Sequence, residues 1–267
     1  MRKSYNQVSL HNLNLRYRLD VWKFYSIRER LHTYCNPLSK ERLESLLNLL
    51  HLGPNSTVLD IACGRGEFLI RLAELYRITG VGVDISPYFA KEAQTKAKQR
   101  VPNAPLVFLQ LDAKNYKPPE GELFDLTSCI GATWIWNGYK GTLEALKSMT
   151  KRQGIVIVGE PYWLKPPDPE YLKWDNMKSE DFANSHYDNI KAAEALGLIC
   201  MYTIVSTQQD FDHYETLGWW AITQYAEANA TDPDLPEILE RMKREKHAYL
   251  RWQRDTLGWA LYVFRKP

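Results

Sequence analysis

Three carboxylates and two glycines in the first half of the chain are spaced so that they could surround a nucleotide-like ligand. Asp60 sits in the run Val58-Leu59-Asp60-Ile61-Ala62-Cys63-Gly64-Arg65-Gly66-Glu67-Phe68. This run passes from an apolar strand through a turn containing Gly64 and Gly66 into a helix. Glycines there let backbone approach a ligand closely, and the helix N-terminus offers unpaired N–H groups with partial positive charge. Asp84 ends the next apolar run, where acidic side chains of doubly wound sheets accept hydrogen bonds from ribose hydroxyls. Asp112 ends a third run. Taken singly, a Gly-x-Gly turn reads as a tight turn, and Asp84 or Asp112 as a strand-end cap. Their coincidence at three successive strand ends, the edge where open α/β sheets bind ligands, carries the functional reading.

The elements that must position these groups follow from periodicity. Short apolar runs at 57–62, 81–84, 106–111, 123–130, 155–160, 198–205 and 256–264 read as seven strands. Amphipathic stretches at 68–76, 88–100 and 142–149 alternate with them, the second begun by the cap and first-turn proline Ser86-Pro87. That alternation predicts a doubly wound, mostly parallel α/β sheet. Pro161, Pro166, Pro167 and Pro169 predict irregular chain until a helix over 180–196. Helices are also predicted over 39–50, opened by Ser39, and over the pair 214–228 and 236–254. On the last of these, Glu240/Arg244 and Arg241/Glu245 stand at i,i+4, the pattern of a solvated face. The organisation expected is an N-terminal helical cap (1–50), a cofactor-binding core (51–210), a helical lid insertion (211–255) and a final core strand (256–267).

Bulk properties narrow the class of function. With 267 residues, 34 Lys+Arg and 32 Asp+Glu, the chain has a net charge of +2, too balanced for a nucleic-acid footprint. No apolar run approaches about 18 residues, so a membrane-spanning helix and stable membrane association are not expected. Cys35, Cys63, Cys129 and Cys200 lie far apart, without a CxxC pair or neighbouring His, which predicts free thiols and no metal site. The first 15 residues lack the apolar core of a secretory signal, and a cytoplasmic setting is expected.

Asp60-x-Ala62-x-Gly64-x-Gly66, followed by GVGVD ending at Asp84 and LDA at Leu111 to Ala113, resembles the class I S-adenosylmethionine-dependent methyltransferases, with their Rossmann-like sheet. CIGATWI (from Cys129) and GEPYW (ending at Trp163) resemble a bacterial small-molecule subgroup of that family. The resemblance implies S-adenosyl-L-methionine as cofactor. It implies that the turn from Ala62 through Cys63 and Gly64 to Gly66 holds the methionyl part, with Asp60 orienting its ammonium. Asp84 would take the ribose hydroxyls, Ile85 would pack on the adenine, Asp112 would accept from the adenine amino group, and the Ala113 N–H would donate to the ring. Cys129 to Gly131 would pass beside the sulfonium. Ala62 stands where the family more often has Gly, which is compatible with a backbone φ below zero. Carboxylates around this site favour a ligand that carries positive charge and repel a pyrophosphate.

Methyl transfer from a sulfonium is an in-line displacement, so the protein must align nucleophile, methyl and sulfur and exclude water. A base is needed if the nucleophile arrives protonated. Glu160 and Tyr162 at the presumed end of the fifth strand and His32 before the first are the candidates, with His186 and His213 behind them. Trp134, Trp163 and Trp219 are expected to line the substrate side, an aromatic surround suited to an amine or aromatic small molecule, although core packing competes as a role for Trp219. A nicotinamide oxidoreductase shares the glycine turn, but its fingerprint wants a small residue where Leu69 stands, and it leaves Asp112 idle. Nucleic-acid amino-methyltransferases carry a Pro-Pro-aromatic motif where this chain reads Ile130-Gly131-Ala132-Thr133. A lipid-modifying relative of the cyclopropane synthases is the stronger alternative, since a helical lid could cover an acyl chain. The expected partner is a small molecule, and the expected state a monomer or homodimer.

Overall fold

The computed structural model describes residues 19–267, so the expected absence of a secretory signal and the first part of the 1–50 cap lie outside the described residues. Seven strands form one sheet: β1 (Thr57–Ile61), β2 (Thr79–Asp84), β3 (Leu106–Gln110), β4 (Phe124–Ile130), β5 (Thr150–Trp163), β6 (Ile199–Val205) and β7 (Leu257–Arg265). Their order is β3-β2-β1-β4-β5-β7-β6. β1 to β5 pair in parallel, and β7 runs antiparallel to both β5 and β6. The central strands read as near-continuous apolar runs because both faces of the sheet are covered.

The described helices are α1 (Val21–Arg28), α2 (Lys40–Leu49), α3 (Glu67–Tyr76), α4 (Pro87–Arg100), α5 (Tyr139–Met149), α6 (Pro169–Asp175), α7 (His186–Ala195), α8 (Gln208–Ala228), α9 (Leu235–Ala248) and the short α10 (Arg254–Thr256). On one face of the sheet, Leu43 and Leu47 of α2, Leu69 and Leu72 of α3 and Ala93 of α4 pack with Val58, Leu126 and Ile157. On the other, Leu143 and Leu146 of α5 and Ala193 of α7 pack with Leu59, Val156 and Tyr262. The odd and even residues of each strand thus feed two separate cores, as the strand period of two requires. A further apolar cluster joins α1 to α8 and α9 through Phe24, Ile27, Ile222 and Ile238.

Four expectations are corrected. β5 does not stop at Glu160: it continues through Pro161 to Trp163, because β7 pairs with it along that whole stretch. β4 has already ended opposite Gly159, so beyond it the proline sits in a strand with a free edge, where a missing N–H is tolerated. The proline-rich segment then forms α6, whose cap Asp168 accepts from the Glu170 N–H ahead of Pro169. α7 begins only at His186, capped by Ser185, and α8 begins at Gln208, six residues earlier than the apolar pattern suggested, because Thr207 and Asp210 form a reciprocal capping box.

The turn after β1 needs left-handed backbone at Ala62 (φ 54°), Gly64 (φ 53°) and Gly66 (φ 74°). The expectation of a negative φ at Ala62 is therefore overturned. A non-glycine residue held there costs about 1–2 kcal/mol, against about 0.5–1 kcal/mol of extra unfolded-state freedom that glycine would bring. Ala62→Gly is accordingly expected to stabilise the protein by roughly 0.5–1 kcal/mol, the difference between those figures. Denaturant unfolding checks it, and a loss of stability would show that the turn relaxes around alanine.

Candidate active site

A cleft of about 660 Å³ opens over the carboxyl ends of β1, β2, β3 and β4. Asp60, Ala62, Cys63, Gly64, Asp84, Ile85, Asp112, Ala113, Gly131 and Trp134 all line it. Asp60 is buried, and its Oδ1 accepts from the Ser128 hydroxyl of the adjacent β4 at 2.7 Å. Burial pushes its pKa up to about 7, and the charge of Asp84 adds to the shift. Asp84 accepts from two backbone donors, Gly64 N–H through Oδ2 and Ser86 N–H through Oδ1, each at 2.8 Å. Burial nonetheless raises its pKa to about 6. Asp112 accepts from the Lys114 N–H at 3.0 Å and keeps the rest of its carboxylate toward the cleft. Gly131 (φ 86°) lies so close to the Asn36 amide that a Cβ would come within 2.8 Å of it.

Several expected site residues lie elsewhere. Gly66 serves packing, since a Cβ there would meet the Ala93 Cβ of α4 at 2.7 Å. Cys129 is fully buried behind the cleft wall. Glu160 is a mid-strand residue, 2% exposed, whose Oε2 accepts from the Thr133 hydroxyl at 2.6 Å. Burial lifts its pKa to about 8. Tyr162 packs beside His186, with ring centroids 5.7 Å apart, away from the cleft. The Trp163 indole N–H donates to the Ser179 carbonyl at 2.7 Å, and its ring packs on Phe182. Trp219 packs edge-on to Tyr249. His32 is buried with its Nε2 on the Tyr214 carbonyl at 2.9 Å, its pKa lowered by that burial, and it faces outward from the cleft. His213 is exposed. The expected aromatic surround with Glu160 at its base is therefore not what the fold builds.

The other wall comes from the segment Tyr25 to Asn36, which the sequence leads one to expect across the cofactor from the acidic edge, and from residues of α6, α8 and α9 that sequence reasoning did not single out. Trp22, Tyr25, Arg28 and Glu29 of and beside α1, Trp174 and Asp175 at the end of α6, Tyr214 and Glu215 of α8, and Arg241, Arg244 and Glu245 of α9 all line the cleft. Arg28 forms ion pairs with Glu29, with Glu215 at 2.9 Å and with Glu245 at 3.7 Å. Arg241 donates through Nε to Glu245 at 2.9 Å and lies over the Phe24 ring, 4.1 Å from its centroid. Of the α9 pairs expected on a solvated face, Glu240 is exposed, whereas Arg241, Arg244 and Glu245 turn toward the cleft. The signal was present: Arg241 and Glu245 fall on the same stripe as Ile238 and Ala248, which are buried. Glu29 also accepts from the Tyr214 hydroxyl at 3.0 Å and lies 3.2 Å from His32 Nδ1. No group of three or more His, Cys, Asp or Glu among the described residues is arranged to hold a metal ion.

The strand order with one antiparallel member, and the acidic strand ends around a single cleft, define a class I, S-adenosylmethionine-dependent methyltransferase. The family model of the methyltransferase domain matches residues 58–154. YjhP of Escherichia coli is 29% identical over 247 residues, 92% of this chain and 98% of that protein. A methyltransferase structure from Geobacter sulfurreducens, solved with S-adenosyl-L-homocysteine, superposes with a TM-score of 0.84 at 29% identity, over 93% of this chain and 100% of that one. A Thiobacillus denitrificans methyltransferase, solved with the same ligand, gives a TM-score of 0.82 at 28% identity over 93% and 100%.

The buried carboxylates set a pH dependence. Asp60 holds its proton in the folded protein up to about pH 7, whereas its ordinary value is 3.8. The folded state then binds more protons than the unfolded chain, so this group's contribution to stability falls as pH rises between those values. The stability difference between ligand-free wild type and Asp60→Asn should shift against wild type as pH rises from about 4 to about 7. Thermal unfolding of both proteins across that range checks it; a pH-independent difference would mean that Asp60 is ionised throughout.

Proposed function

We propose that the protein transfers a methyl group from S-adenosylmethionine to a small polar molecule held beneath the helical wall of α1, α8 and α9. The observation carrying this reading is that Asp60, Asp84 and Asp112, in or just after three neighbouring parallel strands, line one cleft with residues 62–65 of the turn. The donor chemistry fits the cofactor. Three carboxylates suit a ligand bearing ammonium, sulfonium and hydroxyl groups, and the burial that disfavours the ionised forms of Asp60 and Asp84 is relieved when a cation arrives.

When bound, the cofactor supplies an electrophilic methyl group, and the chain's own residues do the rest. The backbone of Gly64 is tied to Asp84, so the turn is set before the ligand arrives. Asp84 retains lone pairs for ribose hydroxyls, Ile85 offers an exposed apolar face to the adenine, and Asp112 with the Ala113 N–H reads its edge. Asp60, fixed by Ser128, would hold the cofactor's ammonium, and Gly131, which lines the cleft after β4, would leave room for its sulfonium end. The segment 211–255 acts as the lid that excludes water, as an in-line displacement requires. Its charged lining favours a polar acceptor over an acyl chain. The four thiols are free, which suits a cytoplasmic setting.

Calorimetric titration with S-adenosylmethionine, S-adenosylhomocysteine and NAD in parallel tests the reading. Both sulfur ligands should bind and NAD should not; binding of NAD alone would replace this reading with that of a dehydrogenase. Asp84→Ala should weaken S-adenosylhomocysteine binding by about 1.5–3 kcal/mol while the variant stays folded by circular dichroism. Affinity should also rise as pH climbs through about 6 to 7, the range in which Asp84 and Asp60 ionise.

A further inference from the structure

We propose that Arg241 receives a carboxylate of the methyl-acceptor molecule, which makes the substrate a small carboxylic acid. The inference rests on the methyl-transfer reading and names the substrate class for the same cleft. Arg241 is 2% exposed and lines the cleft, yet its buried Nη2 has no hydrogen-bond partner among the described residues. A buried donor left unpaired is costly, more so when it is charged, so a ligand oxygen placed there gains what the protein forgoes.

The neighbouring acids are directed to other cations, and the one buried acid oxygen without a hydrogen-bond partner among the described residues, Glu29 Oε2, lies 3.2 Å from His32 Nδ1. Glu245 accepts from Arg241 Nε and faces Arg28, Glu215 and Glu29 pair with Arg28, and Asp175 lies 3.7 Å from Arg244. None of them reaches Nη2. The guanidinium is also held rigid, with the Phe24 and Tyr25 rings 4.1 and 4.8 Å from its carbon. A fixed guanidinium edge suits a carboxylate, whose charge-assisted bonds are roughly twice as strong as neutral ones. Arg244, one helical turn along on the same cleft wall, adds a second positive charge. The nearby carboxylates oppose an anion, but Glu215 is paired with Arg28, Glu245 with Arg241, and Asp175 lies 3.7 Å from Arg244, which moderates that repulsion. Trp22, Tyr25, Trp174 and Tyr214 supply flat surfaces for the body of the molecule.

Protein saturated with S-adenosylhomocysteine can be titrated with benzoate, benzamide and benzylamine, which share a shape and differ in charge. Benzoate should bind at least tenfold more tightly than either of the others. In Arg241→Met that preference should vanish while S-adenosylhomocysteine affinity stays unchanged, and Arg241→Lys should restore part of it. Benzoate binding no better than benzamide in wild type, including no binding by either, overturns the proposal without needing the variant. So does a preference that survives Arg241→Met, or a parallel loss of S-adenosylhomocysteine affinity, which would assign the side chain to the cofactor. Failure of S-adenosylhomocysteine to bind wild type appears before any benzoate is added and removes the methyl-transfer reading together with this inference.

Discussion

The Asp84 carboxylate, accepting from Gly64 N–H on one oxygen and Ser86 N–H on the other, is the contact on which the cofactor half of the cleft depends. It fastens the left-handed turn after β1 to the end of β2, and at the same stroke it fixes the entry to α4, which Ser86 caps. A carboxylate buried to that degree is costly to ionise, and two backbone donors only partly offset the cost. The cost is retained at a place where a ligand bearing cationic and hydroxyl groups can recover it. Burying a carboxylate that the fold alone does not need to bury is the physical mark of a binding edge, and Asp60 repeats it one strand away.

Opposite that edge, the second wall solves a different problem. Two arginines and three glutamates are withdrawn from water between α1, α8 and α9, an arrangement whose desolvation penalty rivals its Coulombic gain. An apolar interface between the same helices would hold them together as well, and Phe24, Ile222 and Ile238 already do so next door. The ionic network therefore supplies what apolar packing cannot: oriented charge facing the cleft. Near the wall's end the helix widens into a π turn over Tyr249–Gln253, which sets Gln253 on the cleft surface.

The sheet and its acidic edge were legible because strand period, strand-ending Asp and Gly-x-Gly all act within a few residues. β1 to β4 fall close to where their apolar runs lie, and Asp60, Asp84 and Asp112 meet in the cleft. Glu160 was misplaced because its position depends on how far β7 pairs with β5, a contact about a hundred residues away that no local pattern carries. The α6 start was missed although Asp168-Pro169 repeats the cap and proline of Ser86-Pro87, because three further prolines nearby masked it. The charged wall was missed for another reason. An arginine on a helix reads as solvated unless the helices that bury it are known, and here α1 and α8 bury Arg241 from elements far away in sequence.

The two halves of the cleft also divide along the chain. The acidic edge lies within residues 58–154, the stretch that matches the methyltransferase domain, while the wall comes from residues 22–36, 174–176 and 214–253. In the proposed reading, a carboxylate edge that holds ribose, adenine and ammonium has the same task whatever the acceptor, and so tolerates little variation in chemistry. The wall has no such constraint, because its groups need only match the molecule that receives the methyl. The arrangement of Arg241, Arg28 and Glu245 is therefore where the proposed specificity would reside, with the unpartnered Nη2 of Arg241 as the group the proposal turns on. A guanidinium packed against the Phe24 and Tyr25 rings has little freedom to turn away and find water, so a ligand oxygen in the cleft is the partner that its buried Nη2 fits.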